Sequence, residues 1–262
     1  MIIDAHTHIF IQHPFPDNEA SSFYPGGIKR DSLKDYLESF DYNGVDACYV
    51  FPPLYTLESR FEFYNEELAK IAAMRPDRLY PWAIVCPTWP EKKLRSEMRR
   101  AVKELGMYGF KFVPIMQGFS LQSIGMHIVA EEAIDMGVPV VFHDGSPQYC
   151  SAIQVAHYAR KYPGLKVLSG HGGLREMWSE FIQSAKELPN LYICLSGPPQ
   201  WGMQQLYNEL GPEKLLFGSD GGTGHPAGIT AYLRRIRKMD VPEEHKKMIL
   251  GTNALRFLNI KA

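Results

Sequence analysis

The feature of this sequence that most constrains its fold is a regular alternation of short apolar runs with longer amphipathic segments. Several of the runs are apolar at consecutive positions, as expected for parallel strands that are covered on both faces. The segments between them place apolar residues three and four positions apart, which is typical of helices packed on one side. The predicted strands are 2–6, 46–51, 79–85, 108–113, 138–143, 166–171, 191–196 and 215–220.

Eight strand–helix repeats in 262 residues predict an α/β fold, a (β/α)8 TIM barrel that forms a single domain over 1–262. The alternative is an open, doubly wound sheet, in which a glycine-rich phosphate-binding turn normally follows the first strand. Here the first strand runs into DAHTHIF without such a turn. The barrel is therefore favoured, and no Gly/Ser-rich linker marks a second domain.

The overall charge excludes two classes of partner. A net charge of −1 gives no electrostatic basis for binding nucleic acid or an anionic membrane. The four cysteines are widely spaced without a C-x-x-C pair, and neither a signal peptide nor a membrane-length apolar run is evident. We therefore expect a cytoplasmic protein with a small-molecule substrate, and a homo-oligomer is left open.

Polar side chains end several of the predicted strands, at the face where TIM-barrel active sites lie. Alternation along the first strand puts His6 and His8 on one face, with Cα atoms roughly 6.5–7 Å apart, so both imidazoles can reach one ion. Asp4, one step deeper on that face, is placed to orient a ligand histidine. The full set comprises His6, His8, Lys111, His143, His171 and Asp220.

Each of these residues alone has a structural explanation: a hydrogen-bonded core histidine, or an aspartate that caps a helix. Four histidines and one aspartate at the same end of one barrel favour a metal site instead. Imidazoles with a carboxylate and no thiolate favour Zn²⁺, and they also suit Mn²⁺, Fe²⁺, Co²⁺ or Ni²⁺.

These residues lie in motifs that resemble the amidohydrolase superfamily, in particular the amidohydrolase-2 branch, which contains aminocarboxymuconate-semialdehyde decarboxylase-like proteins, lactonases and metal-dependent hydrolases of TIM-barrel fold. The resemblance implies that His6, His8 and His143 ligate the metal. It also implies that Asp220 contacts the metal and takes the proton of the water nucleophile. The motifs are DAHTHIF, GFKFVPIMQGFS, PVVFHDG, LSGHGG, LYICLSG, LLFGSDGG and GTNALRFL.

Two further roles follow from the same resemblance. His171 matches a strand-6 histidine that is a catalytic acid/base in mononuclear members and a ligand of the second metal in binuclear ones. Lys111 matches a lysine that is carboxylated in other branches and bridges two metals. The implied reaction is hydrolysis of an amide, ester or lactone. Non-oxidative decarboxylation of a small aromatic or enoic carboxylate is the alternative, and a non-catalytic barrel that binds a small molecule is the second alternative.

Substrate contacts are predicted mainly in loops. The first βα loop, 9–30, is long and rich in proline, glycine and aromatic residues, so we expect an active-site lid there. Arg60 and Arg175 are candidates for binding a substrate carboxylate. Phe23, Tyr24 and His225 are candidates for further substrate contacts.

Overall fold

The computed structural model describes residues 1–11, 33–52, 58–222 and 226–260. Residues 12–30 of the predicted lid lie outside that part of the chain, and so do three predicted substrate contacts: Phe23, Tyr24 and His225.

All strand pairs in the described residues are parallel, and they follow the chain order. One sheet has the order β1-β2-β3 and the other has the order β4-β5-β6-β7-β8-β9. The strands are β1 (Ile3–His8), β2 (Ala47–Phe51), β3 (Leu79–Pro81), β4 (Ala83–Ile84), β5 (Phe110–Phe112), β6 (Val140–Phe142), β7 (Val167–Ser169), β8 (Leu191–Cys194) and β9 (Leu215–Leu216).

The third predicted strand, 79–85, is divided at Trp82 into β3 and β4. The Trp82 backbone nitrogen still donates to Val50 on one side, at 3.0 Å, whereas the next residue, Ala83, donates to Gly109 on the other, at 2.9 Å. The chain therefore passes from one sheet to the other at Trp82 without a gap between them. The indole is fully buried and stacks with Phe257 at 6.4 Å between ring centroids.

The first and last strands close the structure. The Ala5 nitrogen donates to the Phe217 carbonyl, and the Asp220 nitrogen donates to the His6 carbonyl, each at 2.9 Å. With the continuous passage at Trp82, these bonds complete the predicted TIM barrel. The closure also brings the beginning of the chain beside residue 220, so side chains more than 200 positions apart meet at the same barrel end.

Helices connect successive strands and surround the barrel. The helix that ends at Met136 is capped by Gly137, which takes the left-handed conformation at the C-cap. Among the described residues, no helix combines the length and apolar character needed to cross a bilayer. The helices are α1 (Leu33–Asn43), α2 (Phe61–Met74), α3 (Glu91–Lys103), α4 (Pro114–Gln117), α5 (Ile124–Met136), α6 (Ala152–Lys161), α7 (Glu180–Glu187), α8 (Gln200–Leu210), α9 (Pro226–Arg237), α10 (Glu243–Lys247) and α11 (Asn253–Phe257), with a 3-10 turn at Glu58–Arg60 and a π turn at Met248–Thr252.

The core has two layers. The larger layer lies between the strands and the surrounding helices. The smaller layer combines strand residues such as Ile3, Tyr49 and Leu168 with Phe257 of α11. Helix α11 therefore packs against the barrel interior at one end. The polar side chains that end β1, β6 and β7 lie at the opposite end of the barrel.

Candidate metal centre

The end of β1 carries both histidines of the H-x-H motif. His6 is fully buried, the His8 side chain is 14% exposed, and their ring centroids are 5.4 Å apart. Phe51, at the end of β2, packs against both rings, with centroid distances of 5.0 Å to His6 and 5.4 Å to His8. An irregularity in the β1–β2 register lies between Asp4 and Thr7, just where the two histidines occur.

Asp220 lies opposite these imidazoles, just beyond β9. Its φ is 55°, a left-handed conformation that aspartate tolerates better than most residues. Its Oδ1 is 3.5 Å from His6 Nε2 and 3.4 Å from His8 Nε2. One donor atom from each of the three residues lies within 4.8 Å of the other two, the spacing required of ligands that share one ion.

The charges of this cluster are set by burial and by contact. Burial, followed by the nearby charge of Lys111, holds the pKa of the His6 imidazole well below its usual 6.5. Burial opposes ionisation of Asp220, but the hydrogen bond with His8 and the other neighbouring imidazoles outweigh it, so the pKa of this carboxyl lies well below 3.8. The site therefore combines an ionised carboxylate with a neutral His6.

Lys111, on β5, is fully buried and contacts the same cluster. Its Nζ is 3.1 Å from His6 Nε2 and 5.0 Å from the centroid of the Phe51 ring. Burial lowers the pKa of its amine to about 8. A buried amine with so low a pKa has a substantial neutral fraction at mildly basic pH, the form that reacts in the carboxylation known for the matching lysine of other branches.

His143 and His171 form a pair beside the cluster. His171 Nε2 is 2.7 Å from His143 Nδ1, and the His171 ring lies 4.5 Å from that of His6 between centroids. Burial, followed by the charge of Lys111, lowers the pKa of His143 to about 4. His143, predicted as a metal ligand, is thus placed in contact with His171, and the group of three mutually close donors consists of His6, His8 and Asp220.

Two acidic residues hold the main chain around the site. Asp144 is fully buried and accepts hydrogen bonds from the backbone nitrogens of His171, at 2.8 Å, and Gly173, at 2.6 Å. Asp4 accepts from the His6 backbone nitrogen at 3.1 Å, so it supports the main chain of His6, whereas the sequence predicted that it orients an imidazole. The ring of His6 is held by the Gly170 carbonyl, 2.8 Å from Nδ1.

The two arginines predicted to bind substrate lie at different depths. Arg60 is half-buried at the N-cap of α2. Arg175 is exposed in the loop after β7, close enough to Tyr232 and Arg235 to affect their pKa values. The substrate-binding roles of Arg60 and Arg175 stay predictions.

A family model described as amidohydrolase matches residues 3–260. The chain belongs to the amidohydrolase family. No curated protein matches the chain. Solved structures do, and identities of 16–20% relate this chain to them in fold.

Three of these structures span nearly the whole amidohydrolase chain. A 2,6-dihydroxybenzoate decarboxylase in complex with 2,6-dihydroxybenzoate has 19% identity and a TM-score of 0.77, with 99% of each chain covered. A probable 2-pyrone-4,6-dicarboxylic acid hydrolase from Acinetobacter baumannii, with citric acid bound, has 17% identity and a TM-score of 0.70, with 99% of each chain covered. A dihydroxybenzoic acid decarboxylase from Polaromonas, with manganese and 2-nitroresorcinol, has 16% identity and a TM-score of 0.73, covering 98% of this chain and 96% of that one.

The donor atoms of this amidohydrolase fit a divalent cation. His6 Nδ1 lies against the Gly170 carbonyl, which can only accept, so the Nδ1 nitrogen carries the proton and Nε2 carries a lone pair. That lone pair faces the ionised Asp220 Oδ1 at 3.5 Å. Two electron-pair donors this close are stabilised by a nearby positive charge, which the Lys111 ammonium, 3.1 Å from His6 Nε2, supplies and which a divalent cation shared by both atoms would also supply. Nitrogen and carboxylate ligands of this kind suit zinc and manganese alike.

Three residues around the cluster were not identified from the sequence: Asp144, Gly170 and Ser196. Asp144 directly follows the predicted strand 138–143 and Ser196 ends the predicted strand 191–196, and those positions were the available signal. Gly170 acts through its carbonyl oxygen, a group that every residue possesses, so its identity gave no chemical signal.

Proposed function

We propose that this amidohydrolase is a metal-dependent hydrolase that acts on an amide, ester or lactone carbonyl of a small molecule. The observation that carries the proposal is the convergence of His6, His8 and the ionised Asp220 within 4.8 Å of one another at the barrel end. These residues would hold a divalent ion, with His143 as the further predicted ligand. Bound there, such an ion supplies Lewis-acid polarisation of a substrate oxygen.

The residues themselves supply the proton chemistry. Asp220 is the proposed general base, because it is ionised, lies beside His6 and His8, and has a side chain that is 45% exposed. It accepts a proton from the water that attacks the carbonyl carbon, and the C–N or C–O bond to the leaving group then breaks as that group takes up a proton. Lys111, cationic at neutral pH, offsets negative charge that develops on the substrate. His171 keeps its predicted acid–base role and shares a proton with His143 through their 2.7 Å hydrogen bond.

Metal analysis of matched histidine variants tests the site. We expect His6→Ala to lose the bound transition metal and activity, because it removes a buried donor. His127→Ala removes a half-exposed surface histidine and should keep both. At saturating metal, His171→Ala should retain the metal and lose turnover, whereas loss of half the metal would indicate a binuclear site. If the purified wild-type protein neither holds a transition metal nor responds to added metal, the proposal fails.

Decarboxylation is the second candidate, and Lys111 is the observation that favours it. A buried ammonium 3.1 Å from His6 Nε2 provides a counter-charge for a substrate carboxylate beside the proposed metal ligands. The decarboxylases of dihydroxybenzoic acids among the solved structures share the fold over nearly the whole chain. A hydroxybenzoate would accordingly be a substrate class for this candidate.

One substrate panel separates the two reactions. The metal-loaded protein is incubated with lactones, amides, esters, and aromatic or enoic carboxylates, and released CO₂ and new carboxylate are measured. New acid without CO₂ supports hydrolysis. CO₂ release from any member of the panel overturns the hydrolase assignment and establishes the lyase. Arg60→Gln and Arg175→Gln, tested in parallel, should raise KM for the carboxylate-bearing members alone.

A further inference from the structure

The Gly170 carbonyl, just after β7, is approached by two side chains. His6 Nδ1 is 2.8 Å from this oxygen, and Ser196 Oγ is 2.9 Å from it. A carbonyl oxygen carries no proton, so both neighbours must donate to it. This single acceptor therefore fixes the orientation of two hydrogen bonds at once.

Ser196 transmits that orientation to His171. A hydroxyl has one proton, and Ser196 uses it toward Gly170, because the two oxygens would otherwise face each other at 2.9 Å without a proton between them. The serine oxygen therefore presents a lone pair to His171 Nδ1, 3.2 Å away. His171 must carry its proton on Nδ1 to make this bond.

His171 in turn fixes His143. At pH 8, above the ordinary imidazole pKa of about 6.5, each ring carries a single proton. With that proton on Nδ1, His171 Nε2 is an acceptor, and its neighbour at 2.7 Å is His143 Nδ1. His143 must donate through Nδ1, which leaves its own lone pair on Nε2.

We infer that the Gly170 carbonyl sets the tautomers of His6, His171 and His143 through this one-way chain of hydrogen bonds, with Ser196 as a positioning residue. All three rings are held with the proton on Nδ1. In both His6 and His143, the nitrogen whose lone pair takes no part in this series of hydrogen bonds is Nε2. His171 thus orients His143, in addition to its predicted acid–base role.

The local packing holds the groups of this hydrogen-bond series rigidly in place. A Cβ at position 170 would lie 2.5 Å from the Phe142 carbonyl oxygen and 2.8 Å from His6 Cε1, so only glycine lets the main chain approach this closely. The Ser196 residue is 2% exposed, and His6 is fully buried, so bulk water does not compete for these bonds.

The inference concerns the same site as the proposed function, but its main test needs no metal. Nitrogen-15 NMR of the metal-free protein at pH 8 distinguishes a protonated ring nitrogen from one with a lone pair. We expect His6, His143 and His171 each to show a protonated Nδ1 and an unprotonated Nε2. A protonated Nε2 in any of the three rings would contradict the proposed series of hydrogen bonds, whatever reaction the enzyme catalyses.

Removing the hydroxyl tests Ser196 directly. In Ser196→Ala, His171 and His143 should become tautomer mixtures, whereas His6 should keep its wild-type signals because its bond to Gly170 remains. Ser196→Thr keeps a hydroxyl and should retain the wild-type tautomers. Ser123→Ala, which removes the hydroxyl that caps α5, should leave all three rings unchanged.

A metal-binding measurement extends the test. Because outer hydrogen-bond partners tune ligand nitrogens, Ser196→Ala should weaken Zn²⁺ or Mn²⁺ binding by about 10-fold in a chelator competition. If Ser196→Ala leaves both tautomers of the His143–His171 pair as in the wild type, Ser196 is not a positioning residue. If the tautomers change and metal affinity does not, the pair is not part of the metal's ligand environment.

Discussion

At the scale of single residues, burial decides how the charge of His143 depends on pH. Its pKa is lowered from 6.5 to about 4, so the folded protein keeps this ring neutral where the unfolded chain protonates it. A depressed pKa of this kind contributes stability that is complete above pH 6.5 and is lost as pH falls toward 4. In the metal-free protein, we expect His143 to account for a loss of about 2 kcal/mol of unfolding free energy between pH 7.5 and pH 5.

Urea unfolding of metal-free wild type and His143→Gln measures that loss. The variant has no titrating group at this position, so its unfolding free energy should fall less between the two pH values. His127→Gln, at an exposed helix position, should retain the wild-type difference. Equal pH dependence in wild type and His143→Gln would contradict the assignment of a neutral buried ring.

Gly170 gives a second prediction at this scale. Gly170→Ala places a methyl group against His6 and the Phe142 carbonyl, so we expect a loss of about 1–3 kcal/mol of stability together with weaker metal binding. Gly164→Ala is a matched control, because a Cβ there meets Ile134 at an ordinary 3.6 Å. Chemical unfolding and chelator competition on both variants check the prediction. A Gly170→Ala protein as stable as Gly164→Ala would show that the carbonyl is not held by close packing.

The sequence was informative about side chains with distinctive chemistry and uninformative about main-chain atoms. Strand alternation and strand ends were enough to predict that His6, His8 and Asp220 lie near one another, and the structure places them so. The His143–His171 contact depends on the distance between neighbouring strand ends and on rotamers, which no sequence pattern specifies. The role of the Gly170 oxygen depends on main-chain geometry alone.

At the scale of elements, the division of the third predicted strand shows where periodicity stops being informative. The run 79–85 is apolar, but it contains Pro81, which has no backbone N–H to donate to a neighbouring strand. The change of hydrogen-bond partner at Trp82 follows from the need to join both neighbouring strands around a closed barrel. That need is a property of the assembled barrel, and the local sequence marks the position of the division only through Pro81.

The contact between α3 and α5 carries a prediction of its own. Glu132, 2% exposed on α5, accepts from Arg95 at 2.8 Å and from Arg99 at 2.7 Å on α3. Burial acts to raise the pKa of this carboxyl, but the bonds from Arg99 and Arg95 outweigh it, and the pKa lies below 4.5. We expect Glu132→Gln to lower the unfolding free energy at pH 7 by about 1–3 kcal/mol.

The pH dependence of this effect has a definite sign. A lowered carboxyl pKa contributes stability above pH 4.5, and that contribution disappears as the carboxyl is protonated at lower pH. The difference between wild type and Glu132→Gln should therefore shrink on acidification. Glu131→Gln, which breaks an exposed pair with Arg95, should cost less at pH 7. If the two variants lose the same stability, the buried position of Glu132 is unimportant.

At the scale of the whole molecule, the amidohydrolase family match and the closed parallel barrel confirm the fold that eight strand–helix repeats predicted. Regular alternation along the whole chain made this possible, since each repeat carried the same signal. The single domain, the lid over 9–30 and the cytoplasmic location stay predictions. A loop that lacks periodicity offers no pattern from which its path can be predicted. The packing of a barrel does not determine the cellular compartment of the protein.

Barrel closure makes the proposed metal a link between the two ends of the chain. His6 and His8 belong to the first strand, and Asp220 follows the last one, so an ion bound to all three joins segments that separate on unfolding. A ligand that binds only the folded state raises the unfolding free energy by about 2.7 kcal/mol at 100 times its Kd. We therefore expect metal removal to lower Tm and reconstitution to restore it.

Calorimetry of the metal-free and reconstituted proteins, with Zn²⁺ and Mn²⁺ tested separately, measures this shift. His6→Ala should unfold at the same temperature with and without metal, because a ligand from the first strand is missing. His127→Ala should respond like the wild type. Amide hydrogen exchange localises the effect: metal should slow exchange in β1 and in 217–221, where backbone bonds close the barrel. An equal metal-induced rise in Tm for wild type and His6→Ala would place the ion elsewhere.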